Sequence, residues 1–267
     1  STRYQVTLID PGMDYGKLDE SDLKRYRSWM IGLTSHGLHA VQTVPGLYED
    51  YIARLGVSLT DVTVSFGTKV KFSSVLSEEQ KRSVGFLVDR NFICSALAKF
   101  VDEKFSDSQT TGGNDFVAYY NTRALFLDKE KQQVLVRSVN SESPLPEDKM
   151  VPLEYDYILG CDGVRSVVRN GFLTHHREFE FDLTDSFQEG KAVHIALPEG
   201  INEGHFMILM QCVPNMTAFC LPERGGLFNF ALGYSLDKPC DPEMMSDDPK
   251  EVVAYMKKHF KSLKIDL

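Results

Sequence analysis

Apolar and polar positions recur along the chain with two different periods, which predict a mixed α/β protein. Short β-branched runs that alternate every two residues predict strands. The first run, VTLI, ends at Asp10 and is stopped by Pro11-Gly12. The runs DVTVSF and KVKFSSV predict two more strands, exposed on one face, in a sheet separate from the first strand. Asp10 is therefore expected at the C-terminal end of a strand.

Helical spacing is clearest after Asp89, where apolar residues recur every three or four positions. This spacing predicts a long helix with Asp89 as its N-cap. Two shorter helices are predicted before it, one capped by Ser35 and one in LYEDYIARL. A final amphipathic helix is predicted in DPKEVVAYMKKHFKSL.

Strand patterns also flank a polar, proline-containing loop at residues 140–147. After this loop, an apolar run at residues 155–159 predicts a strand that leads into Cys-Asp-Gly. The remaining predicted strands are FVAYY, RALFL and QQVLVRSV before the loop, and KAVHIALP, HFMILMQCV, MTAFCLP and LFNFALGYSL after it.

The segment YDYILGCDGVRSVVR predicts a corner at which a strand turns tightly into a helix that begins near Val164. Asp162 and Gly163 form the predicted turn. In open α/β sheets, ligands lie beyond the carboxyl ends of strands, where helix N–H groups and a turn carboxylate can meet a ribose or a phosphate. An ordinary strand-to-helix connection is the alternative interpretation of an Asp-Gly pair.

DYILGCDGVRSVVR resembles the Asp-Gly fingerprint of FAD-dependent aromatic hydroxylases, the flavoprotein monooxygenase family, and within it the kynurenine 3-monooxygenase group most closely. Other segments are similar in the same order: VTLIDPG, RSWMIGLTSHGLHAVQTV and VDRNFICSALAKF. The resemblance implies FAD and NAD(P)H as cofactors. It also implies that reduced flavin activates O₂ for transfer of one oxygen atom to an aromatic or other electron-rich small molecule, with no acid–base triad in the protein.

The resemblance also assigns roles to five residues. Asp10 would bind the adenosine ribose, Arg27 and Arg90 would contact FAD, and Asp162 with Gly163 would serve both the flavin and the nicotinamide nucleotide. No catalytic residue is assigned.

The resemblance implies an α/β fold with a Rossmann-like FAD-binding domain and a substrate-side β-sheet. That sheet, mixed or antiparallel, would be formed partly by a segment inserted in the FAD-binding domain and partly by the segment that follows it. The FAD-binding part would be residues 1–60 and 84–175. The substrate-side sheet and following helix would be residues 61–83 and 176–267.

Counting residues reveals a departure from this family. A dinucleotide-binding unit has its glycine loop roughly 20 residues before the acid that ends the second strand, whereas Asp10 is the tenth residue here. The later Gly-Asp motif of the family would fall after Leu267. The FAD-binding domain is therefore expected to be incomplete at both ends, and this chain alone is expected to retain little FAD.

A second departure concerns the substrate. Kynurenine-type enzymes resemble one another in an Arg that pairs with the substrate carboxylate on the strand after the second helix. The corresponding stretch here, VSLTDVTVSFGTK, has no Arg, and its Asp61 would repel a carboxylate. The sequence therefore disfavours kynurenine itself.

Charge and cysteine usage narrow the class of protein. Asp and Glu outnumber Lys and Arg by 38 to 29, so the net charge of −9 disfavours binding to nucleic acid or anionic lipid. Five cysteines without a CxxC pair predict a reducing intracellular compartment rather than secretion. No apolar run approaches the roughly 20 residues of a membrane span, so a soluble protein is expected. His36 and His39 share a predicted helix face but lack further ligands, so no metal site is predicted.

Two alternatives to a monooxygenase remain open at this stage. One is a reductase of the geranylgeranyl reductase type, which shares the Asp-Gly corner. The other is a non-catalytic subunit or assembly factor that keeps the monooxygenase fold and binds protein partners in a larger complex.

Overall fold

The structure is a computed structural model that describes residues 4–67, 70–105, 116–186, 188–211, 213, 215–238 and 241–260. The chain divides into two compact units, which are Ser1–Leu18 with Ala98–Thr184 and Asp19–Leu97 with Asp185–Leu267. The predicted FAD-binding ranges, 1–60 and 84–175, rest on the resemblance to flavoproteins. A division by compactness does not test them, so they stay a prediction.

Fourteen strands and seven α-helices are found in the described residues. The strands are β1 (Val6–Ile9), β2 (Met30–Leu33), β3 (Gly56–Ser58), β4 (Asp61–Phe66), β5 (Val70–Val75), β6 (Phe86–Asp89), β7 (Phe116–Tyr119), β8 (Thr122–Asp128), β9 (Gln133–Ser138), β10 (Met150–Glu154), β11 (Gln188–Ala196), β12 (His205–Met210), β13 (Met216–Glu223) and β14 (Leu227–Ser235). The helices are α1 (Glu20–Leu23), α2 (Ser35–Gln42), α3 (Glu78–Val84), α4 (Arg90–Phe105), α5 (Val167–His175), α6 (Pro242–Met245) and α7 (Pro249–His259). Leu47–Ile52 forms a short π-helix and Ala53–Leu55 a 3₁₀ turn.

The first unit combines a parallel pair, β1 with β7, and an antiparallel sheet in the order β10-β9-β8. Helix α5 packs on β8 through a cluster of buried residues that includes Leu127, Val136 and Val168. The predicted strand VTLI is confirmed as β1 and ends, as expected, just before Asp10.

The predicted strand at residues 155–159 is wrong, because this segment bends and no described residue pairs with it as a strand. Tyr155 donates one backbone hydrogen bond, to the carbonyl of Gln132 at 3.0 Å. The side chains of Tyr157 and Leu159 are 89% and 88% exposed. An apolar run becomes a strand only when another strand supplies hydrogen-bond partners.

The unpredicted strand β10 lies immediately before that segment and contains Pro152. Proline cannot donate a ladder hydrogen bond and is therefore rare in the middle of a sheet. In the structure β10 is an edge strand that pairs only with β9, and an edge strand tolerates a proline.

The second unit is built on a six-stranded sheet in the order β11-β14-β13-β12-β4-β5. All neighbours are antiparallel except β12 and β4, which run parallel. The prediction that an inserted pair of strands and a later set of strands form one mixed sheet is therefore confirmed. Helix α7 covers this sheet with Val252, Tyr255 and Met256, and edge strand β11 has no strand on its outer side among the described residues.

A small sheet, β2-β6-β3, completes the second unit and leads into α4. The prediction of Asp89 as the N-cap of α4 is confirmed, because its Oδ1 accepts hydrogen bonds from the N–H groups of Asn91 (2.8 Å) and Phe92 (3.4 Å). The N-cap of α2 is Thr34 rather than the predicted Ser35, since Thr34 has extended backbone while Ser35 is already helical. In the described residues, no helix is long and apolar enough to cross a membrane.

Candidate functional site

The Asp-Gly corner is held by the carboxylate of Asp162, which binds the start of α5. Its Oδ2 accepts hydrogen bonds from the N–H groups of Val167 (2.6 Å) and Val168 (3.4 Å), and its Oδ1 accepts one from the Ser166 hydroxyl (2.5 Å). Ser166 is itself the N-cap and accepts a bond from the Arg169 N–H at 3.0 Å. The first three N–H groups of the helix therefore already have acceptors.

This arrangement corrects the expectation that free N–H groups at this helix start could meet a phosphate. The helix also begins at Val167 rather than near Val164, because the turn keeps the intervening residues out of helical conformation. Burial raises the pKa of Asp162, but the hydrogen bonds from Ser166 and Val167 outweigh burial, and the net pKa lies below its ordinary value. Asp162 is therefore ionised at neutral pH and shapes the corner.

Gly163 follows in the left-handed backbone region, with φ of 76°. A Cβ atom added to it would meet no other atom within 4 Å. The backbone at Gly163 is consequently open, so that a ligand could approach it closely. The exposed thiol of Cys161 lies next to this turn.

Asp10 lies directly after β1 and is exposed. Its Oδ1 accepts a hydrogen bond from the Gly12 N–H at 2.7 Å, which closes a tight turn. In addition, the Asp10 N–H donates a hydrogen bond to the Tyr119 carbonyl, and the Asp10 carbonyl accepts one from the Thr122 N–H. A carboxylate fixed beyond the carboxyl end of a parallel strand matches the geometry that binds ribose hydroxyls.

Arg90, at the start of α4, places its guanidinium carbon 4.9 Å from the ring centroid of Trp29. The Arg90 N–H also donates to the Trp29 carbonyl at 3.1 Å. Nearby, the Ser28 hydroxyl donates to Asp89 at 2.8 Å. The structure thus fixes Arg90 beside the segment that carries Arg27.

Asn91 fixes the backbone of the segment that carries Arg27. This side chain is fully buried, and its amide donates to the carbonyls of Leu23 and Tyr26, both at 3.2 Å. A buried amide that holds two carbonyls on a neighbouring turn limits where the following side chains can lie. The position of Arg27 therefore depends on a residue that the sequence pattern did not indicate.

A cleft of about 760 Å³ lies within the second unit. Residues 24–29, strands β11 and β14, and helix α6 line it. We call it the Trp29 cleft, because Trp29 lines it with an indole that is 50% exposed. Its volume is in the range of roughly 300–1,000 Å³ that small-molecule sites occupy.

His194 on β11 also lines the Trp29 cleft, and its Nδ1 lies 2.8 Å from Oε2 of Glu223. The hydrogen bond to Glu223 raises the pKa of His194, and burial opposes this effect only in part. Neighbouring Asn229 is fully buried, and neither end of its amide has a hydrogen-bond partner among the described residues.

Of the five predicted site residues, Asp10, Asp162 and Gly163 lie in the first unit, and Arg27 and Arg90 lie in the second unit, where both adjoin Trp29. Sequence reasoning missed Trp29, Lys191 and the pair His194 and Glu223. Trp29 could have been noticed as the only tryptophan of the sequence. The pairing of His194 with Glu223 depends on strand register, which no local pattern reveals.

No protein-family model matches the sequence, and no curated protein matches it. Solved structures do match in fold. PqsL from Pseudomonas aeruginosa, a probable FAD-dependent monooxygenase, has a TM-score of 0.62 at 15% identity, over 97% of this chain and 67% of PqsL. The flavin-dependent monooxygenase PieE, solved with FAD and substrate, has a TM-score of 0.66 at 10% identity, over 100% of this chain and 48% of PieE.

A third match is CmlS, a flavin-dependent halogenase, with a TM-score of 0.61 at 14% identity, over 99% of this chain and 47% of CmlS. A variant of PqsL is covered over 60% of its length. The chain therefore spans about half to two thirds of the length of these proteins. These matches show that the fold is similar to that of flavin-dependent monooxygenases, and at identities this low they show the fold alone.

Proposed function

We propose that this protein is a FAD-dependent monooxygenase that uses NAD(P)H to hydroxylate an aromatic or other electron-rich small molecule. One oxygen atom of O₂ would enter the substrate, the other would leave as water, and NAD(P)H would supply two electrons. The observation that carries the proposal is the fold, which matches flavin-dependent monooxygenases over nearly the whole chain. The Asp-Gly corner supports it.

The residues proposed to form the FAD site are Asp10, Arg27, Arg90, Asp162 and Gly163. Asp10 offers an exposed carboxylate at a strand end, which suits a ribose. Gly163 leaves room for close approach of a ligand. Asp162 acts by holding the corner, because both its oxygens are already engaged. When bound, the flavin would supply the redox chemistry, and the protein's task is to orient the ligands and exclude water.

Kynurenine is not the substrate that we propose. Asp61, at the start of β4, accepts hydrogen bonds from Asn202 and Thr60. These two bonds, with that from Asn202 the stronger influence, lower the pKa of Asp61. A carboxylate held in its ionised form at this position would repel the carboxylate of an amino acid.

The test is turnover under ¹⁸O₂ by the full-length protein, supplied with FAD, NADPH and a panel of phenols and aromatic acids. We expect NADPH oxidation that depends on one member of the panel and a product that contains one ¹⁸O atom. A reduced product without ¹⁸O would support the reductase alternative instead. A halogenated product that depends on chloride would support an activity like that of CmlS.

A protein that binds no flavin and oxidises no NADPH would be better described as a non-catalytic subunit. In that case the fold would serve interaction with protein partners in a larger complex. Each of these outcomes would overturn the proposal of a monooxygenase.

A further inference from the structure

Helix α5 contains the dipeptide Asn170-Gly171, which is the only Asn-Gly pair of the sequence. In such a pair the backbone nitrogen of the glycine can attack the side-chain amide carbon of the asparagine, because a glycine has no Cβ to hinder the approach. A bond forms between this nitrogen and the side-chain carbon, and the amide nitrogen leaves as ammonia. Water then opens the five-membered ring to aspartate or isoaspartate. The overall reaction consumes one water and releases one ammonia.

The side chain of Asn170 is accessible for this reaction, but its backbone is not free. Asn170 is exposed on α5, and its side-chain amide forms no hydrogen bond among the described residues. The Asn170 N–H donates to the Ser166 carbonyl at 3.2 Å, and the Asn170 carbonyl accepts a bond from the Thr174 hydroxyl at 3.0 Å. Closing the ring needs a ψ far from the helical value of about −42°. The reaction therefore requires α5 to open at this position.

Helix α5 is weakly held against such opening. It has nine residues, of which only Val168 and Gly171 are buried. Phe172 and Leu173 are each 42% exposed. Gly171 lowers the helix propensity of the segment as well. Segments with few buried apolar contacts open at a small fraction of the free energy of global unfolding.

The cap at the start of α5 opposes this opening. Ser166 accepts a hydrogen bond from the Arg169 N–H at 3.0 Å, and its own hydroxyl donates to Asp162 at 2.5 Å. Asp162 also accepts a bond from the Val167 N–H at 2.6 Å. These bonds lie within one turn of Asn170, and Ser166 supplies the carbonyl that holds the Asn170 N–H. The cap therefore determines how often Asn170 leaves the helical conformation.

We propose that Asn170 is a site of spontaneous deamidation and that the cap formed by Asp162 and Ser166 controls its rate. The proposal is independent of the proposed function, because the reaction needs only water. An isoaspartate at position 170 adds one atom to the backbone in the middle of α5 and breaks its hydrogen-bond register. Since Gly171 lies close against Leu127 of β8, the modification would loosen the packing of α5 on that sheet.

The pair Asp162-Gly163 could form the same kind of ring, but it is the weaker candidate. Both oxygens of Asp162 are engaged by Ser166 and Val167, and an ionised carboxylate is a poorer electrophile than an amide. The two reactions are also distinguishable. Isomerisation of Asp162 leaves the mass unchanged, whereas deamidation of Asn170 replaces an amide by a carboxyl group.

The test is incubation of the full-length protein in mildly alkaline buffer, followed by proteolysis and mass spectrometry of the peptide that contains residue 170. A sample unfolded in urea gives the rate without the helix. Asn170→Gln confirms the position, because glutamine closes its larger ring much more slowly. Circular dichroism shows that each variant remains folded.

We expect the native protein to react at least about tenfold more slowly than the unfolded sample, because α5 must open first. Ser166→Ala should accelerate the native reaction about fivefold, which is the change in open population that loss of one capping side chain implies. Asp162→Ala acts on the same cap and should accelerate it too. Ser77→Ala removes the equivalent cap from α3 in the second unit and should leave the rate at Asn170 unchanged.

Equal rates in the wild-type protein and in both cap variants would overturn the proposal. It would also fail if Ser77→Ala accelerated the reaction as much as Ser166→Ala, since deamidation would then follow global unfolding. A native position 170 that keeps its amide in all variants while the unfolded sample reacts to completion would exclude the site. So would a mass change that persists in Asn170→Gln.

Discussion

Removing the carboxylate of Asp162 should lower the free energy of unfolding, because this side chain accepts hydrogen bonds at the start of α5. Asp162→Ala removes the acceptor of the Val167 and Val168 N–H groups and of the Ser166 hydroxyl. Loss of a capping side chain lowers the free energy of unfolding by about 0.5–2 kcal/mol. Water can replace part of the lost hydrogen bonding at this exposed turn, so we expect a loss of about 1 kcal/mol.

Asp162→Asn is the matched control, because asparagine still accepts hydrogen bonds at a helix start. Its single oxygen can still accept from the Val167 and Val168 N–H groups, but the oxygen that accepts from Ser166 is replaced by an NH₂ group. The variant also loses the charge that favours the helix dipole, which is worth about 0.3–1 kcal/mol. For a protein of this size 1 kcal/mol corresponds to a shift in Tm of about 2–4 °C. The alanine variant should therefore have the lowest Tm, and the Tm of the asparagine variant should lie between those of the alanine variant and wild type.

The contribution of the Asp162 charge to stability should depend on pH in a definite direction. Burial raises the pKa of Asp162, but the bonds from Ser166 and Val167 leave it below the ordinary value of 3.8. The stability that the charge adds is therefore complete above pH 3.8 and disappears as the pH falls through the folded-state pKa.

The measurements are thermal unfolding by circular dichroism across this pH range and hydrogen exchange of the Val167 and Val168 amides. Both variants should exchange these amides faster than wild type, and the alanine variant fastest. Unchanged Tm and unchanged exchange in Asp162→Ala would refute the assignment of Asp162 as the acceptor at this helix.

Three further predictions follow from packing, polarity and charge. Gly171→Ala should lower Tm, because the new Cβ would lie 2.6 Å from Leu127 Cδ2. Overpacking costs about 1–3 kcal/mol, which exceeds the gain of about 1 kcal/mol in helix propensity. An unchanged or higher Tm would show that the contact relaxes. Asn229→Leu should be neutral or stabilising by about 1 kcal/mol in denaturant unfolding, because the buried amide has no partner in the described residues; a clear loss of stability would reveal a bound partner. Glu223→Gln should lower the pKa of His194 in an NMR titration. Because the folded pKa of His194 is raised, its pairing with Glu223 stabilises the protein below pH 6.5 and less as the pH rises through that pKa, and an unshifted titration in the variant would contradict the pairing.

The elements predicted correctly are those whose patterns are local. Helix α4 repeats apolar residues at helical spacing after an N-capping Asp89, and β4 alternates strictly. Each pattern can be satisfied by the segment itself and one neighbour. The same reasoning failed at residues 155–159, because a strand also needs a partner. It also did not predict β10, an edge strand that contains Pro152.

The candidate site was predictable only in part, for a related reason. Asp10 and Gly163 could be placed from turn chemistry, since Pro11-Gly12 and Asp-Gly leave few conformations. The Trp29 cleft could not, because it brings residues 24–29 next to β11, far away in the sequence. The role of Asp162 also changed, since the sequence showed a turn carboxylate but not that the start of α5 would occupy it.

The central proposal is that the full-length protein binds FAD, and flavin retention tests it most directly. The full-length protein would be incubated with FAD, separated from free cofactor by gel filtration, and examined for the visible absorbance of oxidised flavin. We predict about one FAD per chain, and a reduced content in Arg90→Met, which keeps the bulk of the side chain but removes its charge. Complete loss of FAD from the wild-type protein during gel filtration would contradict the account.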